Sequence, residues 1–299
     1  MTPKTIPFAG AAVAAVLSLA AVGPAAAQTY PDRPVTLVVP FAAGGPTDIV
    51  ARMMSVPMSK SLGQQVTVEN TVGAGGTIAA TRVARSKPDG YTLFIHHMGM
   101  STAPALYRKL SFDPMNDFEY VGQVVDVPMT LLARKDFPAN TLPELLAYIR
   151  ANKDKVTLAN AGLGAVSHLC GLLFQSAIGV DMVTVPYKGT GPAMTDLMGG
   201  QVDLLCDQTT QTVPLIKEGR VKVWHGLYAP KGTPAPVLEK VNAALRAAMD
   251  DPTVKQRMLD LSADIVPADK MTAAGLKTFL ESEIAKWGPV IKKAGVFAD

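Results

Sequence analysis

Four glycine-rich segments are where this chain could hold a ligand. They span residues 41–48, 70–76, 161–167 and 187–192, and each follows a predicted strand and leads into a predicted helix. The start of a helix presents unpaired N–H groups and a partial positive charge, both of which favour an anion. Glycine lets backbone N–H groups approach a ligand closely. One such segment is more often an ordinary turn, but four at the same edge of a sheet indicate an anion site.

Three polar side chains beside these segments each have two interpretations. His168 follows Ser167 at a predicted helix start, and donates either to a loop carbonyl or to a bound carboxylate. Asp48 is either a first-turn residue that stabilises its helix, which is slightly favoured, or a partner for a ligand amine or hydroxyl. Asp207 follows the predicted strand 202–206 and is the better candidate for a ligand ammonium. The alternative for Asp207 is a solvent-exposed loop carboxylate.

The same residue types argue against catalysis. Only four histidines occur, and His96 and His97, adjacent on a predicted strand, would point to opposite faces and make a poor metal pair. The sequence contains no His-Glu-x-x-His, no Gly-x-Ser-x-Gly and no Walker motif. Gly162-x-Gly164 lacks the third glycine of a dinucleotide fingerprint. We therefore expect no catalytic residue, no metal and no cofactor.

Composition and the N-terminus indicate an exported globular protein. The 299 residues are 48% hydrophobic and 18% charged, with a net charge of +3, which gives no basic patch for nucleic acid. A weakly basic start is followed by an apolar run, Phe8 to Val22, and by small residues up to Ala27. This pattern predicts a signal peptide over residues 1–27, cleaved after Ala27, and a periplasmic product. No later segment is long and apolar enough to span a membrane.

Strands, loops and helices alternate along the rest of the chain, which predicts an α/β fold with mostly parallel sheets. The first helix is predicted to reach Leu62, with a kink or an early break at Pro57. Similar strand–turn–helix units begin at Leu131 and Gly226, and we interpret them as two crossings between lobes. The predicted division is 28–126 with 227–299 for the first lobe and 127–226 for the second.

The chain contains two cysteines, Cys170 and Cys206. An oxidising compartment permits a disulfide between them, whereas cysteine also packs well as a buried thiol. The sequence does not decide between these two states.

Motifs along the whole predicted mature chain match one family. They lie at residues 30–34, 39–45 with Asp48, 51–52, 68–70 with 73–76, 87–91, 167–169, 185–189, 196–197 with 199–203, and 226–230 with 232–234. In these motifs the sequence resembles the Bug family, the extracytoplasmic solute receptors of tripartite tricarboxylate transporters. The resemblance implies a monomeric, two-lobed periplasmic binding protein of type II that closes on a small carboxylate and delivers it to the membrane subunits of such a transporter. A receptor that signals through a partner is the alternative, and a hydrolase or transferase is least favoured.

The resemblance also implies the residues of the site. On one lobe these are Phe41, Ala43, Gly44, Gly45, Gly75 and Gly76, and on the other Gly162, Gly164, Ser167, His168 and Thr190. The stretches 97–101, with Ser101, and 206–210, with Asp207, are similar to the branch typified by aspartate binders. A C4 dicarboxylate or an acidic amino acid such as aspartate is therefore favoured, with citrate or an aromatic carboxylate as alternatives.

One segment departs from the family pattern. In the family, an apolar strand and a long proline-containing connection usually precede the Trp-x-Gly-Leu segment. Here Val221, Lys222 and Val223 run directly into Trp224. This comparison predicts a missing segment, which would shorten the return to the first lobe and could remove an edge strand.

Overall fold

The computed structural model describes residues 30–212 and 222–295, so the predicted signal peptide lies outside the described residues. The helices and strands follow one another along the chain as follows: β1 (Val35–Val39), α1 (Pro46–Leu62), β2 (Val66–Asn70), a 3-10 turn (Ala74–Gly76), α2 (Thr77–Ala84), β3 (Thr92–His97), α3 (Gly99–Leu106), β4 (Phe118–Ala133), α4 (Leu142–Ala151), β5 (Thr157–Asn160), α5 (Val166–Ile178), β6 (Val183–Pro186), α6 (Thr190–Met198), β7 (Leu204–Gln208), α7 (Thr209–Thr212), β8 (Lys222–Pro230), α8 (Ala235–Asp250), α9 (Pro252–Asp260), β9 (Asp264–Ile265) and α10 (Ala273–Ala294).

The first lobe is built on β1, β2 and β3, which run parallel, with β8 antiparallel beside β3. Its strands are short apolar runs; Val35, Leu37 and Val39 of β1 are fully buried. Helix α1 packs its Val50, Ala51, Met54 and Met58 into the same core, and α8 packs beside it. The C-terminal part of the chain, from β8 onward, therefore returns to the first lobe, where α8 covers the sheet.

The second lobe is built on β5, which pairs in parallel with β6 and β7. Its core is smaller, with Ala159, Leu205 and Ala193 in one cluster and Leu158, Ile149 and Leu204 in another. Each lobe thus has its own sheet region, and the strand-to-helix loops of one region lie opposite those of the other.

Strand β4 joins the two lobes. Its residues Phe118 to Pro128 pair with β8 in the first lobe, and Met129 to Ala133 pair with β7 in the second. Within the described residues a single sheet path, β2-β1-β3-β8-β4-β7-β5-β6, results, with β9 paired to β4. The predicted lobe boundaries lie near these pairings, although β8 begins at Lys222 and pairs with β3 of the first lobe from His225. The lobe division itself stays a prediction.

Three expectations about individual elements need correction. The predicted early break at Pro57 is wrong, because helix α1 continues to Leu62 and its buried face packs against the core on both sides of the proline; the alternative, a kink, stays a prediction. The sequence predicts a strand only over residues 127–134, whereas β4 already starts at Phe118; register shifts near Tyr120 and Gln123 disturb the alternating pattern of its first part. Helix α3 was not predicted; it is short, contains Pro104, and is stabilised by packing against α10.

Candidate functional site

The candidate site is the cleft between the lobes, which contains two adjoining cavities. The inner cavity, of ≈ 20 Å³, is bordered on one side by Phe41, Gly45 and Thr47 and on the other by Ser167, Thr190 and Asp207. The outer cavity, of ≈ 520 Å³, is bordered by the glycines of residues 73–76 and by residues 161–163 and 186–189. Phe41 and Ala161 border both cavities, so the two form one continuous cleft.

Three helix starts converge on the inner cavity. The first residues of α1 come from the first lobe, and those of α5 and α6 from the second. Their N-cap residues are Gly45, Ala165 and Gly189, and no side chain caps any of the three. Side chains usually satisfy the free N–H groups of a first turn. Pro46 in α1 and Pro192 in α6 carry no N–H, and the remaining first-turn N–H groups are left for water or a ligand. The three helix dipoles add positive potential at the same place.

Asp48 holds the first of these helix starts in shape. One of its oxygens, Oδ2, accepts hydrogen bonds from Gly44 N at 2.8 Å and from Arg52 Nε at 2.8 Å, and Oδ1 accepts from Asn70 Nδ2 at 2.9 Å. Burial would raise the pKa of Asp48, but the hydrogen bonds from Arg52, Gly44 and Asn70 outweigh it and hold the pKa below its usual value. Asp48 is 1% exposed and borders neither cavity, so the geometry supports its structural interpretation.

Ser167 and His168, at the start of α5, also hold a loop of the cleft in shape. Ser167 borders the inner cavity, and its Oγ accepts a hydrogen bond from Ala161 N at 2.8 Å. His168 Nδ1 accepts from Gly164 N at 3.2 Å, so this nitrogen carries no proton and neither predicted donor role is seen there. Burial lowers the pKa of His168 to about 4, which keeps the ring neutral. Both side chains fix the loop that carries the α5 N–H groups.

Asp207 is a buried carboxylate that borders the inner cavity. Its Oδ1 accepts a hydrogen bond from Gln208 N at 2.7 Å, whereas Oδ2 has no partner. Gln208 Oε1 is also buried without a partner, and both residues border the cavity. Burial raises the pKa of Asp207 to about 6, against the lowering effect of the Thr190 hydroxyl nearby and of the hydrogen bond from Gln208 N. The solvent-exposed alternative for Asp207 is wrong, since the residue is 1% exposed.

The cleft brings together some of the predicted residues and not others. The inner cavity is bordered by Phe41, Gly45, Ser167, Thr190 and Asp207, and the outer one by Phe41, Gly75, Gly76 and Gly162. Among the predicted residues, those that border neither cavity are Ala43, Gly44, Asp48, Ser101, Gly164 and His168. Ser101 is buried in α3, where its Oγ donates to Met98 O at 2.7 Å.

Several residues that border the cleft were not predicted individually. Thr47 and Gln208 lie inside the predicted segments 41–48 and 206–210, although neither residue was singled out there. His97 stacks on Phe41 with ring centroids 4.6 Å apart, and Tyr107 borders the outer cavity. Nothing in the sequence marks Tyr107, because it lies just after a helix that the sequence did not predict.

The histidines form a cluster behind the cleft. The ring centroids of His96 and His97 lie 4.7 Å apart, and the ring centroid of His225 lies 6.2 Å from that of His97. Burial lowers the pKa of all three, so they are neutral. Within residues 30–212 and 222–295, no group of histidine, cysteine and carboxylate side chains is placed to hold a metal ion.

A disulfide connects two parts of the second-lobe wall. Cys170 of α5 and Cys206 of β7 are bonded, with their Cα atoms 6.0 Å apart. Cys206 immediately precedes Asp207, and Cys170 lies one turn after Ser167. The disulfide therefore connects the helix that presents N–H groups to the strand that presents the buried carboxylate.

The fold and the cleft define the class: this is a two-lobed periplasmic binding protein. The family model described as "Tripartite tricarboxylate transporter family receptor" matches residues 50–223 and 217–296. The chain belongs to this family, the Bug-type receptors that the sequence motifs indicated. Members bind solutes rather than transform them, so the protein is not an enzyme. In the part of the chain that the structure describes, no helix combines the length and apolar character needed to cross a bilayer.

Relatives match along nearly the whole chain. A UPF0065 protein of Agrobacterium vitis from the TAR-I ttuE-ttuC' intergenic region is 45% identical over 314 residues, which cover 94% of this chain and 91% of the relative. The solved periplasmic binding protein BugD is 46% identical with a TM-score of 0.86, covering 90% of this chain and 99% of BugD. MatC from Rhodopseudomonas palustris, solved with bound malate, is 40% identical with a TM-score of 0.83, covering 88% of this chain and 100% of MatC.

The comparisons also bear on the predicted missing segment. The alignment with the Agrobacterium vitis relative runs over 314 positions although it takes in 94% of a 299-residue chain, so it contains gaps in this chain. The family model matches in two pieces that meet at residues 217–223, just before Trp224. The first observation indicates residues missing relative to this relative, and the second favours the predicted place for them.

Proposed function

We propose that the protein captures a small dicarboxylate in the periplasm, either a C4 dicarboxylate or an acidic amino acid such as aspartate, for the membrane subunits of a tripartite tricarboxylate transporter. The observation that carries this proposal is the convergence of three uncapped helix starts, those of α1, α5 and α6, on the inner cavity. Export with removal of residues 1–27 is part of the proposal.

The helix starts favour an anion for two reasons. Their N–H groups are donors without side-chain partners, and a carboxylate offers two oxygens that each accept more than one hydrogen bond. The starts also come from both lobes, so two carboxylates of one ligand could each be held by a different lobe. Hydrogen bonds to a charged group are stronger than neutral ones, which supports a charged ligand over a neutral one.

The acceptors of Asp207 and Gln208 favour a donor on the same ligand. Unpaired buried acceptors are costly, and a hydroxyl or ammonium next to a carboxylate would satisfy them. A 2-hydroxy or 2-amino C4 dicarboxylate has this arrangement, and MatC was solved with bound malate. The second lobe would thus distinguish a substituted dicarboxylate from succinate.

The inner cavity, of ≈ 20 Å³, has room for about one water molecule. A dicarboxylate is larger, so it must enter while the lobes are apart. We infer that the described conformation is a closed, ligand-free one, and that ligand binding requires relative motion of the lobes, which is the ordinary expectation for lobes joined by a few crossings.

A thermal-shift screen tests the ligand class. Succinate, L-malate, L-aspartate, citrate and benzoate are each added to the ligand-free protein, with glucose as a neutral control. A ligand at 100 times its Kd stabilises the folded state by roughly 2.7 kcal/mol. We expect malate or aspartate to raise the melting temperature most and glucose not at all. If no dicarboxylate shifts the melting temperature, the proposed ligand class is wrong.

Transport is tested separately. The purified receptor, loaded with the radiolabelled ligand from the screen, is added to vesicles that contain the membrane subunits of a tripartite tricarboxylate transporter. Uptake that depends on the receptor is the expected result. Binding without uptake would remove the transporter from the proposal and leave the receptor.

A further inference from the structure

Tyr107 connects the two lobes across the outer part of the cleft. It follows α3 in the first lobe, and its hydroxyl donates to Ala74 O at 2.8 Å in the same lobe and to Leu163 O at 3.2 Å in the second lobe. A phenol has one hydroxyl proton, so the two carbonyl groups share it. The side chain thus has one acceptor on each side of the cleft.

Two glycines make room for this contact. A β-carbon on Gly75 of the first lobe would lie 2.6 Å from Tyr107 Oη and would also collide with Leu163 O. A β-carbon on Gly164 of the second lobe would lie 3.0 Å from the same hydroxyl. The Tyr107 hydroxyl therefore occupies a slot that exists because neither lobe carries a side chain there.

The two acceptors differ in what happens when the lobes separate. Ala74 stays with Tyr107 because both belong to the first lobe, so the hydroxyl keeps one partner in the open form. The contact with Leu163 exists only while the lobes are together. Opening therefore breaks one hydrogen bond without leaving the phenol unpaired, and the bond favours the closed form by a moderate amount.

We propose that Tyr107 is an interlobe latch, in which its hydroxyl bridges Ala74 and Leu163 and sets how long a bound ligand is retained. The inference rests on the proposed function, because a ligand must lie in the cleft to be retained. The latch touches no ligand in the inner cavity, which Tyr107 does not border. It determines affinity through the closed, ligand-bound form: when the contact is weaker, that form reopens more readily, so the ligand is released faster and the apparent Kd rises.

The test compares Tyr107→Phe with a matched control, Tyr148→Phe. Tyr148 lies on α4 of the second lobe, where its ring packs edge-on against Phe137, and it borders neither cavity. Dissociation of L-malate and L-aspartate is followed by stopped-flow fluorescence. We expect Tyr107→Phe to release both ligands about 2- to 10-fold faster with little change in association rate, and Tyr148→Phe to behave like the unchanged protein.

A ligand-free measurement separates the latch from the proposed function. Small-angle X-ray scattering of the unliganded protein reports the separation of the lobes. We expect Tyr107→Phe to have a larger radius of gyration than the unchanged protein, and Gly75→Ala a larger one still. If the unchanged protein binds no carboxylate, the proposed function fails, but the scattering comparison still decides the latch. Unchanged release rates, or radii of gyration that stay the same in both variants, would overturn it.

Discussion

Asp207 Oδ1 accepts a hydrogen bond from Gln208 N at 2.7 Å, while Oδ2 of the same carboxylate is buried without a partner beside the inner cavity. The backbone N–H fixes the direction of the carboxylate, and the free oxygen is available to a ligand. Because Gln208 Oε1 is also unpaired, neighbouring residues of the same strand each offer an acceptor beside the three helix starts. This asymmetry leads to the first two predictions.

Asp207→Asn should change ligand selectivity. The amide keeps the size of the side chain but loses the negative charge, so it attracts an ammonium much less. We expect L-aspartate affinity to fall by more than tenfold, L-malate affinity to fall less, and succinate affinity to stay within about threefold, a scale set by the worth of hydrogen bonds to charged groups. Isothermal titration calorimetry measures all three. An equal loss for succinate and aspartate would show that Asp207 does not contact the 2-substituent.

Asp207 should also make the ligand-free protein less stable as the pH rises. Burial raises its pKa to about 6 from an ordinary 3.8, so the folded state binds a proton more tightly than the unfolded state. The stabilisation that this bound proton provides is complete below about pH 4 and is lost as the pH rises through 6. The difference corresponds to roughly 3 kcal/mol of unfolding free energy.

The comparison with Asp207→Asn isolates this contribution. The depressed pKa of His168 acts in an overlapping pH range with the opposite sign, because a neutral buried histidine loses stability as the pH falls. The unfolding free energy of both proteins is measured by urea denaturation from pH 4 to pH 8. The difference between the two values removes the contributions of the histidines, which both proteins share. We expect Asp207→Asn to gain stability relative to the unchanged protein as the pH rises. Parallel curves would mean that Asp207 titrates normally.

The sequence predicted the class of site better than its exact residues. Glycine loops and helix starts are visible as patterns, and Phe41, Gly45 and Thr190 do border the cleft. Ala43 and Gly44 belong to the same loop but border neither cavity, because only the folded loop decides which residues face inward.

Contacts between distant parts of the chain were harder to predict from the sequence. The burial of Asp207 depends on how β7 pairs with β4 and β5, and the position of Tyr107 depends on α3, whose sequence is a weak helix former. The alternation of strands and helices was sufficient for the fold class, because both lobes repeat it. Register shifts in β4 hid the start of the strand that joins the lobes.

Replacing Asp48 with alanine should weaken ligand binding, although the Asp48 side chain does not itself contact the ligand. The change leaves Gly44 N, Arg52 Nε and Asn70 Nδ2 without their shared acceptor, and the α1 start loses its fixed shape. We expect a stability loss of about 2–4 kcal/mol and at least a tenfold weaker affinity for the ligand. The control is Asp89→Ala, which breaks an exposed ion pair with Arg33 and should cost less than about 1 kcal/mol. Retained affinity in Asp48→Ala, measured by calorimetry, would separate the loop from the site.

Breaking the Cys170–Cys206 disulfide should destabilise the second-lobe wall of the cleft. The two cysteines are 36 positions apart. A cross-link that closes a loop of that size raises the free energy of the unfolded chain by about 4 kcal/mol. We expect the double variant Cys170→Ala, Cys206→Ala to unfold at lower urea concentration and to bind ligand more weakly, because α5 and Asp207 are no longer joined. A reducing agent should reproduce the effect in the unchanged protein and have none on the double variant. Equal midpoints for the oxidised protein and the double variant would show that core packing alone fixes this wall.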